Sequence, residues 1–161
     1  MNRQQAKSFY PLSLSVRSLF HKMGNAVTLL HEGSGISGGM RAVMESLISN
    51  GPKTVPEIAR ARPVSRQHIQ TLINELLPLG FVEYQDNPAH RRSKLVAITE
   101  EGRAAFAALR SREMEALSKL SINISPKEFE DAERILTQLI DRFQSAEWHS
   151  IVEDLSPNEK E

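Results

Sequence analysis

The chain contains no cysteine among its 161 residues. That absence excludes disulfides, Cys-ligated zinc, a thiol nucleophile and thiol-based redox sensing. It also fits a reducing compartment, and a cytoplasmic location is expected. No apolar run approaches the ~18 residues that a membrane helix requires. The N-terminal stretch MNRQQAKSFYPLSLSV has basic residues but no apolar segment leading to a small-residue cleavage site, so no signal peptide is expected. Catalytic clusters are missing too. The five histidines, His21, His31, His68, His90 and His149, form no i, i+4 pair, and Ser65 has no base at a useful spacing. With no acid–base pair and no phosphate-binding loop, the sequence reads as a non-enzyme without metal or cofactor. Tryptophan occurs once, at Trp148, where packing explains it better than a ligand pocket does.

Net charge is absent as well, with 20 basic and 20 acidic side chains, but their distribution is uneven. Residues 1–52 carry five basic against two acidic side chains, a net +3. Residues 53–99 carry seven against four, again +3, and residues 100–161 carry eight against 14, a net −6. A locally basic surface is what binding to phosphates requires. The apolar share of 40% supports a real core, and 25% charged residues is ordinary for a globular chain.

Apolar residues at Leu12, Val16, Leu19, Phe20, Met23, Ala26, Val27 and Leu30 recur every three or four positions, which predicts an amphipathic helix. GSGISGG (33–39) reads as a loop, and a short helix over 40–49 follows, ended by Asn50-Gly51-Pro52. Thr54-Val55-Pro56-Glu57 is a helix start with a capping box, and Arg62-Pro63 stops that helix. Ser65 caps the next one, whose apolar stripe is Ile69, Leu72, Ile73 and Leu76, with Pro78 and Gly80 ending it. Residues 81–85 and 93–98 read as strands joined by DNPAHRR (86–92), a hairpin with a basic tip. Thr99 caps a helix with Glu100 and Glu101 in its first turn and apolar positions at Phe106, Leu109, Leu117 and Leu120. A last helix opens at Ser125-Pro126-Lys127-Glu128, with a seam at Phe129, Ala132, Leu136, Leu139 and Phe143. The expected fold is therefore mainly α with a small β-hairpin: a helix-turn-helix followed by a wing.

Three stretches resemble the MarR family of transcription regulators. TVPEIARARPVSRQHIQTLINELLPLGFVE (54–83) is similar to its helix-turn-helix, NPAHRRSKLVAIT (87–99) to its wing, and TEEGR (99–103) to the start of the helix after the wing. The resemblance implies a homodimer that binds double-stranded DNA, often as a repressor relieved by a small aromatic or phenolic effector. It assigns no effector contacts. This chain departs from the pattern at two places. His90 stands where many members have an aspartate that pairs with the wing arginine, leaving Asp86 as the only substitute. Pro63 stands where the turn often holds glycine.

On this reading residues 10–32 form an N-terminal dimerisation helix, 38–99 the winged helix-turn-helix and 100–148 the C-terminal dimerisation helices. Residues 1–9 and 153–161 are expected to be flexible tails. The helix capped by Ser65 turns Arg66, Gln67, Gln70, Thr71 and Asn74 away from its apolar stripe, with His68 at the boundary. Glutamine and asparagine read adenine, arginine reads guanine, and the threonine methyl meets the thymine methyl. Arg91, Arg92 and Lys94 cluster on the hairpin, and Arg92 is the residue the resemblance places in a minor groove. The alternative is a winged-helix protein-interaction module whose wing is structural and whose end helices bind a partner protein.

Overall fold

A computed structural model describes residues 2–61, 64–90 and 92–156. The elements run α1 (Arg3–Leu30), α2 (Gly38–Asn50), α3 (Val55–Arg60), α4 (Arg66–Leu76), β1 (Val82–Gln85), β2 (Leu95–Ile98), α5 (Glu100–Ser118), α6 (Pro126–Phe143) and α7 (Ala146–Leu155). They form two compact units that divide between Lys119 and Leu120.

Local cap chemistry starts most of the helices. The Ser65, Thr99 and Ser125 side chains accept from the backbone N–H of His68, Gly102 and Glu128, satisfying donors that a helix start leaves open. At α3 the Thr54 hydroxyl instead donates to the Glu57 carboxylate, 2.6 Å away. That bond, with the Thr54 backbone N–H, holds the Glu57 carboxyl below its ordinary pKa, and Ser125 does the same to Glu128. α4 stops before Pro78, and Gly80, at φ 70°, lets the chain turn back so that Phe81 N–H donates to Leu76 O.

The core of the first unit is built by α2, α3, α4, the hairpin and the first half of α5. Met44, Leu47, Ile58, Ile69, Ile73, Leu76 and Val96 are fully buried in it. Burial of each such side chain is worth roughly 1.5–3 kcal/mol. β1 and β2 pair antiparallel with Val82 opposite Ile98 and Gln85 opposite Leu95. Lys53 adds a bridge to Val96, so the base of the wing is tied to the segment before α3.

Several elements differ from the sequence expectation. Residues 3–9 are helical, not a flexible tail, because Asn2 and Gln5 form a capping box at the start of α1. α1 continues through Pro11, whose missing N–H leaves the Lys7 carbonyl without its helical donor. α2 begins at Gly38 inside the expected loop, capped by Ser37. Gly39 there lies so close to α4 that an added Cβ would meet Leu72 Cδ2 at 2.9 Å. Residues 153–155 belong to α7, an additional helix that Ser145 caps through Trp148 N–H, so the expected C-terminal tail is helical there. Residues 157–161 lie outside the described residues, as do Arg62 and Pro63 with the helix stop expected of them.

α1 ends against α2 and α5 at a partly buried ionic cluster. Arg41 on α2 donates from Nε and Nη2 to Glu113 on α5 at 2.7 and 2.8 Å. Its guanidinium also sits 5.3 Å from the Phe106 ring centroid. The hydrogen bond to Glu113 raises the Arg41 pKa further, so this cation is permanent. His31, the C-cap of α1, is buried beside them, with Nε2 3.1 Å from Glu113 Oε1 but out of line for a hydrogen bond.

α1 itself buries no residue, and Phe20 is 73% exposed on it. In the second unit α6 and α7 pack through a T-shaped contact of Phe143 with Trp148, centroids 4.9 Å apart. Phe129, Ile135, Leu136 and Ile140 remain exposed along α6. Among the described residues no helix is long and apolar enough to cross a membrane.

Candidate nucleic-acid interface

The face of α4 opposite its buried stripe is polar and open. Ile69, Leu72, Ile73 and Leu76 face the core, while Arg66, Gln67, His68, Thr71 and Asn74 are exposed and Gln70 is half-buried. The Ser65 hydroxyl is committed to capping, at 3.1 Å from His68 N. Thr71 Oγ1 donates to Gln67 O at 3.1 Å. Gln70 Nε2 donates to Asn74 Oδ1 and to Tyr84 Oη, both at 2.9 Å. The fold thus brings six of the candidate side chains to one surface of one helix and ties that surface to β1.

Tyr84 is the member of this group that sequence reasoning missed. It lies on β1 between Glu83 and Gln85, with Val82 the buried residue of the strand. Its signal was a large aromatic in an otherwise exposed part of the strand, a place with no core to fill.

The wing carries the second group. Arg92 and Lys94 are exposed. Lys94 Nζ lies 3.8 Å from Asp86 Oδ1, and both side chains are well exposed, so the pair is weak. Asp86 therefore does not replace the aspartate expected beside Arg92, and among the described residues Arg92 makes no ion pair. The loop is shaped by its own polar groups: Ala89 N–H donates to Asn87 Oδ1, and Asn87 Nδ2 donates to Ser93 Oγ. Arg91 lies outside the described residues. Among the described residues no three His, Asp or Glu side chains converge as a metal site would need.

Chemically, this is a donor-rich surface in two parts. One is a helix face with amide, hydroxyl and guanidinium groups, the side-chain types that pair with base edges. The other is a cationic loop with no large apolar side chain to bury.

Residues 41–93 match the model of the MarR family. An uncharacterized protein of Mycobacterium tuberculosis (strain ATCC 25618 / H37Rv) is 33% identical over 95 residues, 59% of this chain, and the match spans 66% of that relative's length. A crystal structure of a MarR family transcription regulator superposes with a TM-score of 0.70 at 27% identity, covering 87% of this chain and 93% of its own. A mutant of MarR from E. coli, complexed with operator DNA, shares the fold at a TM-score of 0.67 and 20% identity, covering 82% of this chain and 95% of its own. Residues 41–93, from α2 to the wing, are thus a MarR-family winged helix, set in an architecture that agrees on both sides with that of a solved MarR family regulator.

Proposed function

We propose that the chain is a homodimeric, sequence-specific regulator of transcription that reads a palindromic operator as a repressor. α4 lies in the major groove, with Arg66, Gln67, His68, Gln70, Thr71 and Asn74 at base edges and Ser65 at the backbone. The wing lies along the adjacent minor groove, with Arg92 inserted and Arg91 and Lys94 on phosphates. The observation that carries this reading is the exposed face of α4. It holds amides, a hydroxyl and an arginine but no lysine or glutamate until Glu75, whereas a merely solvated face favours those two. A MarR structure in complex with operator DNA, of the same fold, supports it.

The dimer is built from α1 and the C-terminal helices, whose apolar side chains are left exposed in the single chain. Residues 10–32 and 100–148 are its dimerisation segments and 38–99 its reading head. A small aromatic or phenolic effector relieves repression, and the protein works in the cytoplasm, where the operator is.

Selecting bound DNA from a random pool tests the reading. An inverted-repeat consensus is expected, together with a steep linear loss of affinity on a log–log salt plot. A pool without enrichment, and binding indifferent to salt, would leave the chain as a protein-interaction module instead.

A further inference from the structure

We infer that Tyr84 is a specificity-determining residue: by holding the Gln70 amide it makes Gln70 a hydrogen-bond acceptor only, so that this position reads a cytosine amino group, not adenine. The inference rests on the proposed function and deepens it.

A glutamine amide has two N–H donors on Nε2 and one acceptor oxygen. Both donors of Gln70 are occupied within the protein, one by Asn74 Oδ1 and one by Tyr84 Oη, each at 2.9 Å. Only Oε1 remains for a ligand. The usual pairing of glutamine with adenine needs an N–H for N7 and an oxygen for the N6 amino group from the same amide. Gln70 cannot supply the first without breaking one of its two bonds. Facing adenine it would also aim Oε1 at a base edge that carries the N7 lone pair beside the amino group. Cytosine presents an amino donor at N4 with one acceptor beside it, the O6 of its paired guanine, whereas the adenine amino group lies between two, its own N7 and the O4 of the paired thymine. An acceptor-only side chain is matched to that edge.

The same bonds set the neighbour. Asn74 uses Oδ1 to accept from Gln70, so its Nδ2 hydrogens stay free. It therefore reads acceptors, of which guanine O6 and N7 are the richest pair. Residues 70 and 74 stand one turn apart on α4, and one adopts the acceptor role because the other is the donor. Tyr84 stands outside the helix, and its hydroxyl oxygen takes up the second Nε2 hydrogen of Gln70 in this arrangement. Its strand is rigidly placed, since Tyr84 pairs with Val96, which is fully buried. Tyr84 is 39% exposed, so the hydroxyl is at the surface and its loss removes no core packing.

The test is selection from a random DNA pool with the full chain, the Tyr84→Phe variant and the Gln70→Glu variant in parallel. The wild-type protein is expected to enrich cytosine at one position of each half-site. Tyr84→Phe frees one amide N–H, so the preference at that position should move toward adenine by roughly tenfold, while the other positions keep theirs. Gln70→Glu is acceptor-only by chemistry, so it should keep cytosine there even though overall affinity falls from the added charge. If Tyr84→Phe weakens all sequences alike or changes nothing, Tyr84 is a structural residue and the inference is overturned. It is overturned equally if Gln70→Glu loses the cytosine preference. No enrichment by the wild-type chain would instead overturn the DNA-reading function itself, and this inference with it.

Discussion

Ser65 caps α4 through His68 N–H, and the proposed function gives it a second role, at the DNA backbone, that a pair of substitutions separates from the first. Ser65→Ala removes the cap and should lower stability by about 1 kcal/mol in chemical denaturation. Ser65→Asp keeps the cap and suits the positive end of the helix dipole, so stability should hold or rise. Its charge would face the phosphate backbone, so DNA binding measured by fluorescence anisotropy should nevertheless collapse. Equal binding by the two variants would remove Ser65 from the interface. Arg92 has no internal role to lose, since it is exposed and makes no ion pair among the described residues. Arg92→Ala should leave the melting temperature unchanged, lower affinity for most sites and flatten the log–log salt slope by about one unit. An unchanged slope would take the wing off the DNA. Ser65 and Arg92 were both legible in the sequence, because a cap is a four-residue pattern and the wing is a charge cluster at a turn. Tyr84 was not, because its partner is 14 positions away on another element.

At the scale of elements, the start of α5 is locked to the base of the wing. Thr99 N–H donates to Phe81 O at 3.1 Å, and Thr99 Oγ1 donates to Gly80 O at 2.6 Å. Gly102 completes the contact by having no side chain: a Cβ there would fall 2.1 Å from Phe81 O. Gly102→Ala should therefore force α5 and the hairpin apart. A loss of roughly 1–3 kcal/mol is expected, seen as a fall in melting temperature of roughly 2–10 °C. If alanine is tolerated without a shift, the close approach is not part of the native packing. Helix starts were readable wherever Ser or Thr preceded the first turn. The start of α2 was hidden by its glycines, which look like loop until Leu72 is seen to need the room beside Gly39. α7 was hidden by the polarity of the final residues, although Ser145 carries the same cap signal as Ser125. The Lys53–Val96 bridge and the Arg41–Glu113 pair join positions 43 and 72 apart, beyond the reach of any local pattern.

For the whole molecule, uncovered apolar surface and two-fold symmetry set the expectations. α1 and α6 each bury no residue in the single chain, although each carries an apolar stripe. Sedimentation at low micromolar concentration should find a particle of twice the 18.1 kDa chain mass. A monodisperse single chain would count decisively against the dimer. An isologous dimer presents α4 twice about a two-fold axis, so the half-sites should be inverted repeats one helical turn, ~10–10.5 base pairs, apart. Inserting five base pairs turns one half-site to the far side of the duplex. Binding should then fall toward the non-specific level, ~10³-fold or more weaker. Retained tight binding would mean that each half is read alone. The uncovered surface was within reach of the sequence, since periodicity alone shows an apolar stripe along these helices.

Within the first unit α5 is held at two points. Gly102 seats it under the wing, and eleven residues on, about 17 Å along its axis, Glu113 clamps it to α2 through Arg41. A rod fixed at two places is a strut and not a hinge: it carries load without bending. Any molecule that displaces α5 near Glu113 would therefore carry the base of the wing with it, because Gly102 joins the same strut to Phe81.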